Sequence, residues 1–277
     1  MLEKLRAYWQ SRGATATLRY MVDRLQFAIS PPETASETRT RVSGQLAERL
    51  NHEVISGLFT GMRFLPDATW GRGDRGGQLL GLYEQELQQI IADHHANYDT
   101  LIDLGAADGY YAVGCMFKHL FQHCYAFEAN ESSRSHIKAL ANLNHVEGRI
   151  DILGLATDES LLQIPEGVRQ RAFVIIDIEG AEFHLVTPQL VSQFSRAFFV
   201  IELHASPGPA GLQSVVQLKD VFLPTHELWT VAQGSRDPNR FPILSAYHDH
   251  ERWLIASENR AHRMEWLVAK PRLENLS

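Results

Sequence analysis

The chain is poor in cysteine and in long apolar runs, and it carries no excess of positive charge. Its 277 residues include two cysteines, too few for a disulfide framework or a cysteine-based zinc site. No window approaches the ~20 apolar residues that a membrane-spanning helix needs, and the first residues lack an apolar signal region. A formal net charge of -7 argues against a standing phosphate-binding surface. These absences predict a cytoplasmic protein that neither spans a membrane nor binds nucleic acid.

The beginning of the chain has the pattern of a helical extension. Apolar residues recur at roughly helical spacing over residues 2 to 28, and Gly13 is expected to divide them into two short helices. The Pro- and Ser-containing stretch 30–36 follows as a linker. We therefore predict an N-terminal helical extension over residues 1–55 and a main domain over 56–277. The extension would cap that domain or form a homodimer contact.

From residue 99 onward, apolar strand candidates alternate with helical segments. The strand candidates are 100–104, 123–128, 149–153, 172–177 and 197–203. Near-continuous apolar strands that alternate with helices indicate a parallel sheet covered on both faces. Further candidates lie at 225–231, 252–257 and 264–269, and the last two would form an antiparallel pair that completes the sheet. The predicted fold is α/β, with a doubly wound, mostly parallel, seven-stranded Rossmann-like sheet.

The turn after the first of these strands is the most informative stretch. Asp103 lies near the strand end, and Gly105-Ala-Ala-Asp-Gly109 follows before a helix-like segment begins. Glycines permit positive φ and close backbone approach, so a ligand can lie against main-chain N–H groups at a helix start. The spacing is neither GxGxxG nor that of a P-loop. By itself, the turn indicates only a nucleotide-type cradle.

Acidic residues end three more strands, where ligands bind in doubly wound sheets. Glu128 lies one βα unit beyond the turn, where a carboxylate can accept hydrogen bonds from both hydroxyls of a ribose. Asp177 and Glu179 follow the fourth strand, and Glu202 and His204 end the fifth. Such groups are costly to bury without partners, so we expect them to face a polar pocket.

Five segments together resemble the FkbM family of S-adenosylmethionine (SAM) dependent methyltransferases. They are Ile102-Asp-Leu-Gly-Ala-Ala-Asp-Gly-Tyr-Tyr111, Phe127-Glu-Ala-Asn130, Leu140-Ala-Asn-Leu-Asn144, Ile176-Asp-Ile-Glu-Gly-Ala-Glu182 and Ile201-Glu-Leu-His204. The resemblance covers about residues 80 to 270. It implies a class I methyltransferase fold and transfer of a methyl group from SAM to a hydroxyl oxygen. The acceptor would be a small molecule, either a sugar or a natural product, including a glycosylated one.

The resemblance also implies which residues hold the cofactor. The turn would bind the methionine part of SAM, Glu128 the ribose, and Ala156 and Thr157 the adenine, while Tyr83 and Glu84 close over the methionine end. The full set of implied contacts is Asp103, Gly105, Ala106, Asp108, Gly109, Glu128, Ala129, Ala156, Thr157, Asp177, Tyr83 and Glu84.

Transfer to an alcohol needs a general base. His204 is the first candidate because imidazole titrates near neutral pH, Asp177 is the second, and Glu202 would orient His204. Asp177, Glu179, Glu202 and His204 also offer ligands for Mg²⁺, although a metal-free site is the expectation. The run His248-Asp-His-Glu251 is expected to be surface rather than a metal site.

Two other classes of function stay open. A doubly wound sheet also suits an NAD-type oxidoreductase, but the spacing of Gly105 and Gly109 lacks the third glycine of that fingerprint. A module that binds SAM or its demethylated product without catalysis is the other alternative.

Overall fold

The computed structural model describes residues 2–29, 33–67 and 71–272, which contain helices and one seven-stranded sheet. The strands are β1 (Thr100–Leu104), β2 (His123–Phe127), β3 (Ile150–Leu153), β4 (Ala172–Ile176), β5 (Phe198–Glu202), β6 (His226–Ala232) and β7 (Glu265–Pro271). The α-helices are α1 (Leu2–Ile29), α2 (Ala35–Arg49), α3 (Arg75–Leu79), α4 (Gln85–His94), α5 (Tyr110–Phe117), α6 (Glu131–Leu143), α7 (Asp158–Leu162), α8 (Glu166–Arg169), α9 (Glu182–Leu185), α10 (Pro188–Gln193), α11 (Pro209–Phe222) and α12 (Asp249–Ala256).

The strand order is β3, β2, β1, β4, β5, β7, β6. The first five strands pair in parallel, and β7 runs antiparallel to both β5 and β6. This is the topology of the class I SAM-dependent methyltransferase fold that the sequence predicts. The chain order reverses between β1 and β4, so the carboxyl ends of these two strands form the crevice in which doubly wound sheets bind ligands.

Both faces of the sheet are buried, which explains the continuous apolar strands. Along β4, Phe173 and Ile175 pack into the hydrophobic cluster on one face, while Val174 and Ile176 pack into the cluster on the other. Successive side chains of a strand point to opposite faces, so every residue of such a strand meets core. The five parallel strands therefore begin and end within one residue of their predicted bounds.

One strand prediction was wrong. Residues 252–257 lie in α12 and its C-terminal end instead of in a strand, and β7 pairs with β5 and β6. A capping box joins His248 and Glu251 at the start of this helix, and Ile255 and Ala256 are buried on one side of it. The periodicity of a short apolar run does not distinguish a helix from a strand, and here the capping residues favour the helix. The antiparallel pair is formed by β6 and β7.

The chain forms two compact units, Met1–Thr38 and Arg39–Ser277. In the first, α1 is interrupted at Gly13, whose φ of 81° and ψ of 172° are not helical, as the sequence predicts. Residues 39–55 belong to the second unit, whereas the sequence analysis assigned them to the extension. Val42 and Leu46 of α2 pack there with Leu80 and Ile255.

Among the described residues, none of the helices combines the length and apolar character needed to cross a bilayer.

Helix α5 follows the turn after β1 and packs closely against Phe59. A methyl group at Gly114 would lie 2.6 Å from the Phe59 ring. Because the core has no room for it, we expect Gly114→Ala to lower the free energy of unfolding by about 1–3 kcal/mol. Urea unfolding measures this change. The matched control is Gly148→Ala, where nothing lies within 4 Å. Equal stability of the two variants would contradict the packing described for α5.

Candidate active site

The turn after β1 is held in a conformation that depends on glycine. Gly105 has a φ of 90° and Gly109 a φ of 91°, a region that L-residues with side chains rarely adopt. A methyl group at Gly105 would also lie 1.8 Å from the carbonyl oxygen of Asp177. The parallel pairing of β1 with β4 thus brings the turn directly against the residue that follows β4.

Glu128 fixes this turn to the end of β2. One carboxylate oxygen accepts a hydrogen bond from the backbone N–H of Ala107 at 2.9 Å, and the other accepts from Asn130 N at 2.7 Å. Asn130 in turn caps α6 by accepting from Ser132 N and Ser133 N. Each oxygen of Glu128 keeps a further lone pair, so the carboxylate is oriented and can still accept hydrogen bonds from a ligand.

Two adjacent cavities lie at this edge of the sheet, and they contain most of the predicted cofactor contacts. The larger, of about 320 Å³, is lined by the predicted residues Gly105, Glu128, Ala129, Ala156 and Asp177. The smaller, of about 50 Å³, is lined by the predicted residues Tyr83, Glu84, Asp103, Gly105, Ala106, Asp108 and Asp177. Gly105 and Asp177 border both, so the two cavities are the two parts of one site.

Two of the predicted cofactor contacts, Gly109 and Thr157, do not line either cavity. Gly109 lies at the N-terminal end of α5, outside the lining of either cavity. Thr157 is exposed, and its hydroxyl caps α7 by accepting from Ser160 N. Of the pair expected beside adenine, Ala156 alone borders the larger cavity.

The lining of both cavities is acidic. Its carboxyl groups are Asp74, Glu84, Asp103, Asp108, Glu128, Asp177 and Glu179. Among the described residues, no Lys, Arg or His lines either cavity. Arg39 forms an ion pair with Asp74, and Arg75 lies 3.5 Å from Asp108. A negative potential of this kind favours a positively charged ligand.

Among the carboxyl groups that line the two cavities, Asp103 is the most deeply buried one without an arginine partner. It is 3% exposed, and its Oδ2 has no hydrogen-bond partner among the described residues. Burial, reinforced by repulsion from Asp177 and Glu128, raises the pKa of Asp103 to about 7. Buried polar atoms are normally satisfied, so this oxygen at the wall of the smaller cavity indicates a missing hydrogen-bond donor.

The predicted catalytic residues meet beside this site. His204 Nε2 lies 3.5 Å from Asp177 Oδ1 and 3.8 Å from Glu202 Oε2. Of the three, only Asp177 borders the cavities. Glu179, whose φ is 54°, is exposed and lies 3.6 Å from the same ring nitrogen. The structure therefore brings His204 and Glu202 to the site through their contacts with Asp177.

Burial and neighbouring charges shift the pKa values of Asp177, Glu202 and His204. Burial raises the pKa of Glu202 to about 11, and Asp177 and Glu84 add to the effect. Burial also raises the pKa of Asp177. Burial opposes protonation of His204, but the carboxylates of Glu182 and Asp177 outweigh it and raise its pKa above the usual value. The acidic neighbours of His204 therefore favour its protonated form, in which it is their counter-charge.

Arg260, which the sequence analysis missed, connects Glu202 to Glu84 at the start of α4. Its guanidinium forms ion pairs with Glu202, Glu84 and Glu258. Glu84 has a left-handed backbone, with a φ of 44°, and accepts a 2.8 Å hydrogen bond from the Tyr111 hydroxyl. Arg260 thereby fixes two buried carboxyl groups, that of Glu84 at the smaller cavity and that of Glu202 near His204.

A second arginine extends the network. Arg236 pairs with both Glu86 and Glu258 at 2.6 Å, so Glu258 is shared between two guanidinium groups. Arg236 and Glu258 lie in the segments before and after α12, which carry no motif, and only the folded structure brings them to Glu86 in α4. The run at 248–251 forms the start of α12, where Glu251 accepts from the His248 backbone N–H.

Neither protein-family models nor curated proteins match the chain. Solved structures do. An O-methyltransferase from Bacillus cereus in complex with SAH is 11% identical, with 90% of this chain and 97% of that chain covered and a TM-score of 0.43. The tRNA methyltransferase TrmK of B. subtilis is 12% identical, with 66% and 64% covered and a TM-score of 0.42, so this chain spans less than two thirds of that enzyme. The tRNA methyltransferase TrmI from Aquifex aeolicus is 13% identical, with 66% of each chain covered and a TM-score of 0.44. Similarity at this level does not identify what this chain acts on.

We predict that Arg260→Met strongly destabilises the protein, because it leaves Glu84 and Glu202 buried without their counter-charge. Breaking a buried pair in this way costs about 3–5 kcal/mol. Burial and repulsion from Asp177 already raise the pKa of Glu84 to about 8. An unpaired carboxyl group takes up a proton as the pH falls, so the loss of stability should shrink in acid.

Denaturant unfolding at several pH values measures this loss. The control is Arg171→Met, which removes an exposed partner of Asp99 and should cost no more than about 1 kcal/mol. Equal losses in the two variants would contradict the role given to Arg260.

Proposed function

We propose that this protein is a SAM-dependent methyltransferase of the FkbM family that methylates a hydroxyl oxygen of a small molecule, a sugar or natural product. The observation that carries the proposal is the acidic pair of cavities at the β1 and β4 ends of a class I methyltransferase sheet. The family assignment is supported by the five sequence segments. A homodimer formed through the N-terminal helices is part of the same proposal.

The charge of the cavities suits SAM in particular. SAM is positively charged at its sulfonium sulfur and its amino group. Asp103 and Asp177 border the smaller cavity, and neither has an arginine partner among the described ion pairs. The buried, unpartnered Oδ2 of Asp103 is an acceptor to which an ammonium group can donate. Glu128, held by two backbone N–H groups, is the residue that would bind the ribose hydroxyls.

The same charge disfavours the oxidoreductase alternative. NAD places a negatively charged diphosphate at the turn after β1, and helix N-termini with glycine-rich turns normally bind it. Here, that turn is bordered by Asp103, Asp108 and Glu128, and like charges in a confined site repel one another.

When SAM is bound, it supplies a methyl group on a positively charged sulfur, and the acceptor hydroxyl must lose its proton. We assign that proton to the pair formed by Asp177 and His204, which lie 3.5 Å apart. Asp177 faces the cavities, and burial raises its pKa, which makes it a stronger base than an exposed aspartate. His204 stabilises the negative charge of Asp177 and is a proton acceptor when it is itself neutral. Glu202 and Arg260 hold the pair in position.

We predict that Glu128→Ala weakens SAM binding at least about tenfold, because it removes the charged carboxylate that would accept hydrogen bonds from the ribose hydroxyls. SAH formation with a panel of sugar and natural-product alcohols should fall with it. Calorimetry measures binding, and the control is Glu131→Ala at the exposed start of α6. Thermal stabilisation of the unaltered chain by NAD and not by SAM or SAH would overturn the proposed function.

The affinity for SAM should also rise with pH. The pKa of Asp103 is raised to about 7 and that of Glu84 to about 8. Both groups become negative as the pH rises, so each strengthens the binding of a cation. The affinity should change by up to about tenfold per pH unit below these pKa values.

Calorimetry between about pH 6 and about pH 7.5 covers the raised pKa of Asp103 and stays below the range in which the α-amino group of SAM itself loses its proton. Asp103→Asn should remove the part of the pH dependence of SAM affinity that lies near the pKa of Asp103, about 7. Adenosine, which lacks both positive charges, is the control ligand and should bind equally across the range. A SAM affinity that falls as the pH rises would contradict the electrostatic account.

A further inference from the structure

The part of α1 after Gly13 carries an apolar stripe that faces solvent. Leu18, Met21, Val22 and Leu25 have the i, i+3, i+4 and i+7 spacing, which places them within an arc of about 100° around the helix axis. These four residues are between 42% and 63% exposed. An amphipathic helix in a globular protein normally buries such a stripe. In α1, the described part of the chain leaves it open to a partner.

Arginine residues flank the apolar stripe on both sides. Arg19 precedes Val22 by three residues and Arg24 follows Met21 by three, so each lies about 60° beyond one edge of the stripe. Residues 9–25 contain three arginines and one aspartate, so this stretch is basic although the whole chain has a net charge of -7. An arginine can lay its apolar stem along a surface and keep its guanidinium group among polar partners.

This charge pattern distinguishes between two kinds of partner for the apolar stripe. If the same stripe of a second copy packed against it, the flanking arginines of one helix would meet those of the other, and like charges beside a helix contact disfavour it. Anionic lipid headgroups, in contrast, attract basic side chains that border an apolar helix face. A surface of anionic lipid therefore suits both the stripe and its flanks, whereas a second copy suits the stripe alone.

We propose that the part of α1 after Gly13 binds the surface of a membrane that contains anionic lipids. The helix lies parallel to the surface, with the apolar stripe at the boundary between headgroups and acyl chains and the flanking arginines among the lipid phosphates. Residues 14–29 form a helix of about 24 Å, which is shorter than the ~30 Å hydrocarbon core of a bilayer. That length suits a helix that lies on the membrane and does not cross it.

This binding is independent of the proposed methyl transfer, because none of its residues belongs to the candidate active site. It also restricts the homodimer proposed above, whose contact would lie in another part of the N-terminal helices. One apolar face and a few charges hold the helix, so attachment should be reversible and should weaken as salt screens the arginines.

The test is co-sedimentation of the full chain with vesicles of phosphatidylcholine, either pure or in equal mixture with phosphatidylglycerol. We expect the chain to bind the mixed vesicles at least about tenfold more tightly than the pure ones, and this preference should shrink at high salt. The double variant Arg19→Gln, Arg24→Gln should lose most of the preference. Its control is Arg196→Gln, which changes an exposed arginine before β5.

A second double variant, Leu18→Gln, Leu25→Gln, tests the apolar stripe. It removes two apolar side chains from the acyl boundary, so it should bind the mixed vesicles at least about tenfold less tightly than the unaltered chain. The control is Leu212→Gln in α11, where the leucine is 69% exposed, similar to the 63% of Leu18. Because all these positions are exposed, the melting temperatures of the variants should match that of the unaltered chain.

Several outcomes would overturn the proposal. They are no binding of the unaltered chain to the mixed vesicles, equal binding to both kinds of vesicle, affinity that both double variants retain, and affinity that Leu212→Gln loses to the same extent. A dimer that Leu18→Gln, Leu25→Gln dissociates in sedimentation velocity, without vesicle binding, would overturn it in favour of a second copy. A chain that binds the vesicles as expected but neither SAM nor SAH would support membrane binding and contradict the methyltransferase.

Discussion

The parallel pairing of β1 with β4 is the constraint on which the candidate site depends. The register that aligns Leu104 with Ile176 brings the turn after β1 against the backbone of Asp177, leaving no space for a side chain at Gly105. Because the chain order reverses here, the helices that follow the two strands diverge and leave the crevice open. The cavities lie at this pairing, whereas the pairing of β1 with β2 places Glu128 beside the turn and the pairing of β4 with β5 brings His204 to Asp177.

Around that crevice, the protein accumulates more negative charge than its own cations neutralise. Arg260 joins Glu84 to Glu202, and His204 lies near four carboxyl groups. Burial raises the pKa of several of these acids, so they hold protons that a bound cation would replace. A positively charged sulfonium ligand in the cavities would satisfy part of this excess.

The sequence predicts the parallel sheet well because the central strands β1, β4 and β5 are buried at every position, so they are largely apolar runs that end in a turn or an acid. It predicts the residues at the strand ends for the same reason, since Asp103, Glu128, Asp177 and Glu202 follow such runs. It does not predict α12, whose short apolar segment fits a strand equally well, nor the pairing of β6 with β7. Arg260, Arg236 and Glu258 could not be assigned from sequence because they lie in segments without periodicity and meet the site only through tertiary contacts.

A crystal structure of the chain with SAH tests the central claim most directly. The account predicts the ribose hydroxyls on Glu128, the adenine in the larger cavity beside Ala156, and the amino group within hydrogen-bond distance of Asp103. SAH bound at another surface, or bound in the cavities with its amino group directed away from the acidic residues, would contradict the account.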